Sequence, residues 1–349
     1  MKRLSAVSLF SGLGGMDLGL TGGFSYLEKQ YKKNVFDIEF AMDFDKPTCD
    51  IYNKNFSHEC HNIDATKLKE SDVPDHDILI GGFPCQAFSV SAQNPPRLGF
   101  KDDRGKLFFE MCRLLKHHQP RFFVAENVKG ILSANKKKAF PLILSEFEKA
   151  GYHIKYKILN SVEFGVPQKR ERVFIIGFKN RSDYLRFEFP KGNPEKVVPL
   201  KCILEPEDTI EPKYYFSQKA VDGLKATKNY KIMNKGRAQC IEGPSNTVSA
   251  HLAKVSLNST DPVLKINNRY RMFTPREVAR IQSFPESFQL TGSKTLNYKA
   301  LGNAVAPVVM WHIANTLEGL ILNDNIEKFQ NVGQLDLFEF NEKKAAYVT

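Results

Sequence analysis

Hydrophobic and polar residues alternate along the first half of the chain in blocks that predict strands followed by helices. Short apolar runs, typical of strands buried on both faces, are separated by segments with helical spacing. The predicted strands are residues 6–10, 36–44, 76–83, 121–127, 154–160 and 172–178, and the predicted helices begin near residue 16 and cover 46–56, 105–118 and 138–152. This alternation predicts an α/β fold, a doubly wound and mostly parallel sheet with helices on both faces.

The pattern changes near residue 181, where prolines interrupt a region of strands and turns. Between Lys213 and Arg237 there are seven lysines or arginines and one acid. Helical spacing returns at residues 274–285, where Thr274 is the expected N-cap, and after residue 299. We predict a large domain over 1–180 that is completed by 292–325, a smaller basic domain inserted at 181–270, a hinge with a connecting helix over 271–291, and a C-terminal tail over 326–349.

The composition of the chain indicates which kind of partner it binds. The 349 residues carry a formal net charge of +11, which favours a polyanionic partner, with nucleic acid the leading candidate. Six cysteines without a C-x-x-C pair favour free thiols in a reducing compartment. The "HECH" stretch at 58–61 could be a metal site, but a solvated turn is favoured because no second ligand pair follows at suitable spacing. No apolar run reaches about 18 residues, so no membrane span is expected, and the apolar N-terminus is interpreted as the first strand rather than a signal peptide.

The candidate functional residues lie at the carboxyl ends of the predicted strands, where sheets of this kind bind ligands. The glycine loop at 11–15, Asp43, Cys85 and Glu126 each follow a strand, so we expect them along one edge. The loop "FSGLGG" is either a tight turn that binds nothing or a cradle for a ligand; it lacks the G-x-G-x-x-G pattern of dinucleotide sites. Asp43 occupies a position that reaches ribose hydroxyls in such folds, and Phe44 could stack on a purine.

Cys85, in "GGFPCQAFS", has two interpretations. It is either a buried thiol at the end of a strand or a nucleophile beside a backbone fixed by Pro84. Glu126 is either a capping carboxylate or a partly buried acid with a raised pKa. Arg170 and Arg172 share one face of a strand by the two-residue period, either at a solvated edge or as anchors for phosphates or a base carbonyl.

Together these stretches resemble the DNA (cytosine-5-)-methyltransferases of bacterial restriction–modification systems. The matching segments occur in the family's order and span about 300 residues: "FSGLGG" at 10–15, "DFD" at 43–45, "GGFPCQAFS" at 81–89, "ENV" at 126–128, "QKRER" at 168–172, "TPREVARIQSFP" at 274–285 and "GNAV" at 302–305. The resemblance implies a Rossmann-like methyltransferase fold with S-adenosylmethionine as the methyl donor, no metal, and an inserted target-recognition domain.

The resemblance also implies a role for each matching residue. Cys85 would be the nucleophile that adds to carbon 6 of a flipped-out cytosine, Glu126 would engage N3 and the exocyclic amine, Arg172 would hold the base carbonyl, and Arg170 would support the site and its phosphate contacts. The residues expected around the cofactor are Phe10, Gly12, Leu13, Gly14, Asp43, Phe44, Asp64, Pro84 and Asn303. Asp43 is shorter than the glutamate common in the family, and "IDAT" around Asp64 matches only loosely.

The DNA contacts implied by the resemblance come from a lid over residues 87–104 and from the inserted domain. The residues expected to contact DNA are Gln86, Ser89, Arg97, Arg104 and Thr247, and Lys101 adds a further charge to the lid. A mobile surface loop is the alternative for the lid. The resemblance further implies double-stranded DNA as partner, a separate cognate restriction endonuclease, a monomer, and a bacterial cytoplasmic location.

Three other functions remain open from the sequence. The same chemistry could act on cytosine in tRNA, although an insert of this size favours DNA. A non-catalytic nucleic-acid-binding module is disfavoured by the complete set of Cys85, Glu126 and Arg172. A nicotinamide oxidoreductase lacks its glycine fingerprint and has no use for the Pro84–Cys85 pair.

Overall fold

The structure, a computed structural model, describes residues 3–84, 103–226, 238–254, 261–267 and 269–322. Each of the six predicted strands is present in the structure, which also contains short strands that the pattern does not predict. The strands of the large domain are β1 (Leu4–Leu9), β2 (Phe24–Tyr26), β3 (Lys29–Tyr31), β4 (Phe36–Asp43), β5 (Cys60–Asn62), β6 (Ile78–Gly81), β7 (Phe122–Val128), β8 (His153–Asn160), β9 (Gln168–Lys169) and β10 (Glu171–Phe178). The later strands are β11 (Ala238–Gln239), β12 (Ser245–Asn246), β13 (Val263–Ile266) and β14 (Arg269–Arg271).

Seven of these strands form one sheet in the order β5-β4-β1-β6-β7-β10-β8. The first five run parallel to one another, and β10 pairs antiparallel with both β7 and β8. The predicted mostly parallel sheet is therefore confirmed. Strand order reverses on either side of β1, which is the arrangement that opens a ligand crevice at the carboxyl edge.

Nine α-helices occur in the residues that the structure describes, and some of them cover the two faces of the sheet. They are α1 (Gly15–Thr21), α2 (Lys46–Tyr52), α3 (Asp103–His118), α4 (Ala139–Lys149), α5 (Arg181–Arg186), α6 (Gln218–Lys225), α7 (Pro275–Ile281), α8 (Lys294–Asn303) and α9 (307–322). One apolar core joins α1, α2 and α9 to the sheet, and a second joins α3 and α4 to the opposite face. This is the doubly wound arrangement that the sequence predicts.

The hydrogen-bonding pattern confirms the predicted start of α7 and revises the end of α4. Thr274 caps α7: its hydroxyl accepts from the backbone N–H of Glu277, whose carboxylate accepts from the N–H of Thr274. This reciprocal pair is the capping box that the sequence "TPRE" suggests. The helix predicted to reach residue 152 ends at Lys149, and Gly151 follows in the left-handed region with φ 95°.

A hairpin of β2 and β3 follows α1, where the sequence indicated only a basic stretch. The ring of Phe24 stacks on that of Tyr31 at 4.9 Å, and the Tyr26 hydroxyl donates to the carbonyl of Arg280 at 2.7 Å. Trp311 of α9 donates to the carbonyl of Lys32 at 2.8 Å. The hairpin thus packs in the core that α1, α2 and α9 share with the sheet, and its hydrogen bonds connect it to α7 and α9.

Residues 294–322 are long and apolar enough to cross a membrane by length and composition, with a mean hydropathy of 1.4. In the fold, 61% of the apolar 18-residue window within this segment is buried by the rest of the chain. Residues 304–306 interrupt the helix. Val308, Ile313 and Leu317 belong to the first core. The segment is therefore accounted for as a core helix.

Candidate active site

The ends of four neighbouring strands align at the carboxyl edge of the sheet. Met42 pairs with Leu9, Leu9 with Gly81, and Gly81 with Ala125. The next residue on each strand is therefore Asp43, Phe10, Gly82 and Glu126, in that spatial order. Since adjacent strands lie about 4.8 Å apart, roughly 14 Å separates the backbone at Asp43 from that at Glu126. For the glycine loop, Asp43 and Glu126, this register agrees with the expectation that they share one edge, while the position of Cys85 stays a prediction.

The glycine loop and Asp43 form one hydrogen-bonded unit. The backbone N–H of Gly12 donates to Oδ2 of Asp43 at 2.9 Å, and the N–H of Asp45 donates to Oδ1 at 2.9 Å. Burial raises the pKa of Asp43, while these two donors and the N–H of Phe44 lower it. Gly12 has φ 55°, and a Cβ built on it meets no atom of the described residues within 4 Å, so these residues leave space above the loop. The Phe44 ring is 76% exposed beside it.

The other residues expected around the cofactor differ in how far their side chains are exposed. Leu13 is buried in a third core, so only its backbone faces the loop, and a Cβ on Gly14 would lie 2.5 Å from the Phe56 ring. Phe10 is partly buried at φ 55°. Asn303, the last residue of α8, is exposed, and Asp64 is exposed with its carboxylate accepting from Thr66. Pro84 is the last described residue before the gap.

A buried carboxylate and a guanidinium meet at the other end of this edge. Glu126 lies within β7, and its Oε1 is 3.1 Å from Nε of Arg172 on β10. The Glu126 residue is 8% exposed. Burial raises the pKa of Glu126 above its ordinary value, and the positive charges of Arg172 and Arg170 oppose that shift. The carboxyl group of Glu126 therefore stays protonated to a higher pH than that of a solvated glutamate. Its contact with Arg172 fixes its orientation.

The chain that leads to Cys85 passes directly against Glu126. A Cβ built on Gly82 would lie 3.2 Å from Oε2 of Glu126, so glycine permits this close approach. The side-chain amide of Asn127 donates to the carbonyl of Phe83 at 3.0 Å and fixes the segment. The sequence already suggested that the glycine pair before Cys85 clears space, whereas the role of Asn127 was missed because its contact depends on the pairing of β6 with β7.

Several predicted site residues lie outside the described residues: Cys85, Gln86, Ser89, Arg97 and Lys101. Arg104 lies in the first turn of α3. The placement of the predicted nucleophile, of the lid and of most predicted DNA contacts therefore stays a prediction. Within the described ranges, no group of three or more His, Cys, Asp or Glu side chains could hold a metal ion.

Arg170 differs from its expected place. It lies between β9 and β10 rather than on one strand face with Arg172, it is 2% exposed, and its guanidinium donates to the carbonyls of Val248, Gly302 and Ala304 at 2.9–3.1 Å. A phosphate contact from Arg170 does not fit this burial. Instead it connects the end of α8 to the inserted region, next to Thr247, whose hydroxyl donates to the carbonyl of Lys169 at 2.7 Å.

A buried polar network lies behind the glycine loop, and the sequence pattern did not single it out. The Tyr52 hydroxyl donates to Oδ1 of Asp17 at 2.8 Å and lies 2.6 Å from Nε2 of His58, one of the two histidines of "HECH". Asp17 is fully buried, and desolvation raises its pKa from 3.8 to about 6. Tyr52 also packs against Gly14. The network therefore supports the loop from within the core.

We expect Asp17→Asn to stabilise the protein at neutral pH. Between pH 4 and 6 the folded chain binds more protons at Asp17 than the unfolded chain does, so the free energy of unfolding falls as pH rises. Above pH 6 the buried charge costs about 3 kcal/mol. Urea unfolding at pH 7.5 should show a gain approaching that size, and the gain should shrink toward zero below pH 4. An equal gain at pH 3.5 would contradict this cause, and Asp50→Asn, at an exposed position of α2, is the control.

The alternating sheet, the glycine loop with Asp43, and the carboxylate–guanidinium pair together define a Rossmann-like fold of the methyltransferase class. The solved structures agree with the fold. The Entamoeba histolytica methyltransferase EhMeth has a TM-score of 0.72 at 19% identity, covering 92% of this chain and 99% of its own. The S. pombe Dnmt2 methyltransferase has a TM-score of 0.70 at 22% identity, covering 91% and 99%.

The chain belongs to the C-5 cytosine-specific DNA methylase family, whose sequence profile matches residues 4–319. It is similar to the Type II methyltransferase M1.ScrFI of Lactococcus lactis subsp. cremoris, with 38% identity over 323 residues, which is 90% of this chain and 78% of that protein. It is also similar to the Type II methyltransferase M.HaeII of Haemophilus aegyptius, with 35% identity over 97% of this chain and 100% of that protein. The enzyme is therefore a DNA cytosine-5 methyltransferase.

Proposed function

We propose that the enzyme methylates carbon 5 of one cytosine within a specific double-stranded DNA sequence, using Cys85 as a transient covalent nucleophile on a flipped-out base. The observation that carries the proposal is the Glu126–Arg172 pair, which lies against Gly82, three residues before Cys85. The remaining support comes from the order of the sequence motifs and from family membership.

The residues at the Asp43 end of the edge fit S-adenosylmethionine. A nucleoside needs a carboxylate for its ribose hydroxyls and an apolar surface for its base, and the Asp43 carboxylate and the exposed Phe44 ring offer both. The open space above Gly12 leaves room for the rest of the molecule. We propose that the backbone around Gly12 and Leu13, with Asn303 from α8, completes the site. When bound there, S-adenosylmethionine supplies an electrophilic methyl group.

The residues at the Glu126 end fit the activation of cytosine. Carbon 5 of cytosine is a weak nucleophile, so the ring must gain electron density there. In the proposed step the Cys85 sulfur bonds to carbon 6, while Glu126 donates its proton to N3 and takes up the charge that would otherwise develop on the ring. Arg172 orients Glu126 through the 3.1 Å contact and holds the base carbonyl. Carbon 5 then accepts the methyl group, and a base, for which a water molecule suffices, takes the proton from carbon 5. The Cys85 sulfur leaves carbon 6 as a thiolate while N3 returns its proton to the Glu126 carboxylate, which restores the ring and the acid.

This chemistry requires the cytosine to leave the DNA helix, because carbon 6 is covered in the base stack. Unstacking costs a few kcal/mol, which contacts with the extruded base must offset. We propose that residues 87–104 close over the base and that residues 181–270 read the DNA sequence. Thr247 is well placed for this because its contact with Lys169 keeps it close to the Arg172 strand.

The relatives with Type II in their names support a biological setting. We propose that the enzyme is the methyltransferase of a bacterial restriction–modification system, that it acts as a cytoplasmic monomer, and that a separate endonuclease cleaves the same sequence when it lacks the methyl group.

Bisulfite sequencing of DNA from cells that express the enzyme tests the proposal. We expect 5-methylcytosine at one position of a single short sequence, and none in cells that express Cys85→Ser. Purified enzyme should transfer the methyl group of labelled S-adenosylmethionine to duplex DNA in preference to tRNA. Transfer to tRNA alone, or cofactor binding without transfer to any nucleic acid, would overturn the assignment.

A further inference from the structure

A tight turn after β7 combines three lysines with an unusual backbone conformation. Asn135, Lys136 and Lys137 have φ values of 49°, 55° and 67° in succession. Residues with a Cβ rarely adopt this left-handed region, and three in a row accumulate strain. We call residues 135–138, which end with Lys138 before α4, the lysine turn.

Both ends of the lysine turn are fixed in the core. Ala134 and Ala139 are buried in the core that α3 and α4 share with the sheet. The N–H of Lys137 donates to the carbonyl of Ser133 at 3.3 Å, and the N–H of Lys138 donates to that of Asn135 at 3.0 Å. The strained conformation is therefore imposed by its surroundings. Strain of this kind, retained by the fold, is a reason to look for a function.

The lysine turn lies at the catalytic edge of the sheet. The strand β7, which carries Glu126, runs parallel to β1, and α4 connects its carboxyl end to the start of β8. Since β8 and β7 both pair antiparallel with β10, they point the same way, and α4 must run from the carboxyl edge back to the opposite edge. The turn immediately before α4 is therefore on the same edge as Glu126.

The part of the chain that the structure describes does not neutralise the charge of the lysine turn. Lys136, Lys137 and Lys138 are exposed, and none forms an ion pair with any residue that the structure describes. Nearby Lys129, by contrast, pairs with Glu171 at 2.9 Å. Solubility does not require three adjacent cations in a strained turn beside an active site. A polyanion lying over this edge would neutralise all three.

We propose that the lysine turn binds phosphates of the DNA backbone beside the target cytosine. The inference rests on the proposed function in one respect, namely that duplex DNA lies across the carboxyl edge. Lysines on flexible stems act as point charges for phosphate and carry little sequence information. The lysine turn therefore contributes affinity and position, while base discrimination comes from elsewhere.

The test is DNA binding by the intact enzyme as salt is varied. Each phosphate contact contributes about 0.9 to the slope of log affinity against log salt concentration. We expect the triple variant Lys136→Gln, Lys137→Gln, Lys138→Gln to bind DNA more weakly at low salt and to lower the slope by about 2.7, so that the ratio of wild-type to variant affinity falls about 40-fold between 0.05 and 0.2 M salt. Because phosphate contacts ignore sequence, DNA with and without the target site should lose the same factor. The KM for DNA should rise with little change in kcat or in S-adenosylmethionine affinity.

The matched control replaces three lysines at the opposite edge, where α3, α4 and β10 end, by glutamine: Lys116, Lys149 and Lys179. This variant has the same net charge but should keep the wild-type slope. The single change Lys137→Gly adds a second readout, since glycine relieves the strain: Tm should rise by about 1–2 °C while DNA binding weakens.

Three results would overturn the inference. These are an unchanged slope in the triple variant, an equal loss in the control variant, and a loss confined to DNA that carries the target site. All three are distinct from failure of the proposed function, which wild-type methylation reports independently.

Discussion

Cys85→Ser is expected to reduce single-turnover methyl transfer by at least about 10³-fold while S-adenosylmethionine still binds. A thiol ionises near pH 8.5 and forms a strong carbon nucleophile, whereas a serine hydroxyl stays protonated and adds to carbon 6 far more slowly. Loss of a covalent nucleophile usually removes most of the catalytic rate. The residues that we propose for cofactor binding, among them Asp43 and Phe44, do not include Cys85, so calorimetric titration should give the wild-type cofactor affinity.

A trap experiment separates covalent chemistry from a structural role of Cys85. In DNA with 5-fluorocytosine at the target, fluorine replaces the proton that must leave carbon 5, so expulsion of the sulfur stalls. Wild-type enzyme should form a covalent complex that survives denaturing electrophoresis and maps to Cys85, and so should Cys240→Ser, which alters an exposed thiol. A trapped complex with Cys85→Ser, or none with the wild type, would count against the mechanism.

Glu126→Gln should lower kcat by about 10²–10⁴-fold, the range typical of lost acid–base catalysis. Glutamine keeps the shape of the side chain and can still donate a hydrogen bond, but it cannot transfer a proton to N3. Burial raises the pKa of Glu126, which favours the protonated form that the mechanism requires at the start of the reaction. The KM values for DNA and cofactor should change much less than kcat.

Glu171→Gln provides the comparison for this result. Glu171 lies on the same sheet, next to Arg172 in the chain, but its side chain is 44% exposed and pairs with Lys129. Its substitution should leave kcat within about twofold of wild type, because an exposed ion pair contributes little. If Glu126→Gln retained wild-type kcat, Glu126 could not be the proton donor.

The sequence predicts the centre of the main sheet well because β1, β6, β7 and β10 are mostly buried on both faces, whereas the short edge strand β5 was missed. Continuous apolar runs such as 122–125 are typical of fully buried strands, and the motifs that follow them mark the carboxyl edge. The hairpin of β2 and β3 was missed because its strands are only three residues long and lie in a segment rich in lysine. Its stability comes from contacts with Trp311 and Arg280, which are distant from it in the chain.

The sequence motifs do not predict the direction in which each side chain points. "FSGLGG" correctly marks the loop beside Asp43, yet Leu13 points into the core rather than toward a ligand. The two-residue spacing of Arg170 and Arg172 suggests a shared face, but the backbone leaves strand geometry between β9 and β10. Arg170 is then drawn to carbonyls on segments that only the tertiary fold brings together. Local sequence patterns do not predict such contacts.

The position of α9 has a consequence for synthesis of the protein. Val305, just before this helix, and Pro307, its first residue, lie so close to Gly15 and Gly19 of α1 that a Cβ on either glycine would collide with a backbone carbonyl. One face of the sheet, and the Asn303 side of the cofactor site that we propose, are therefore incomplete until α9 has left the ribosome. A nascent chain that ends before α9 would expose that apolar face, so methyl transfer must wait until this late helix has been translated and has packed.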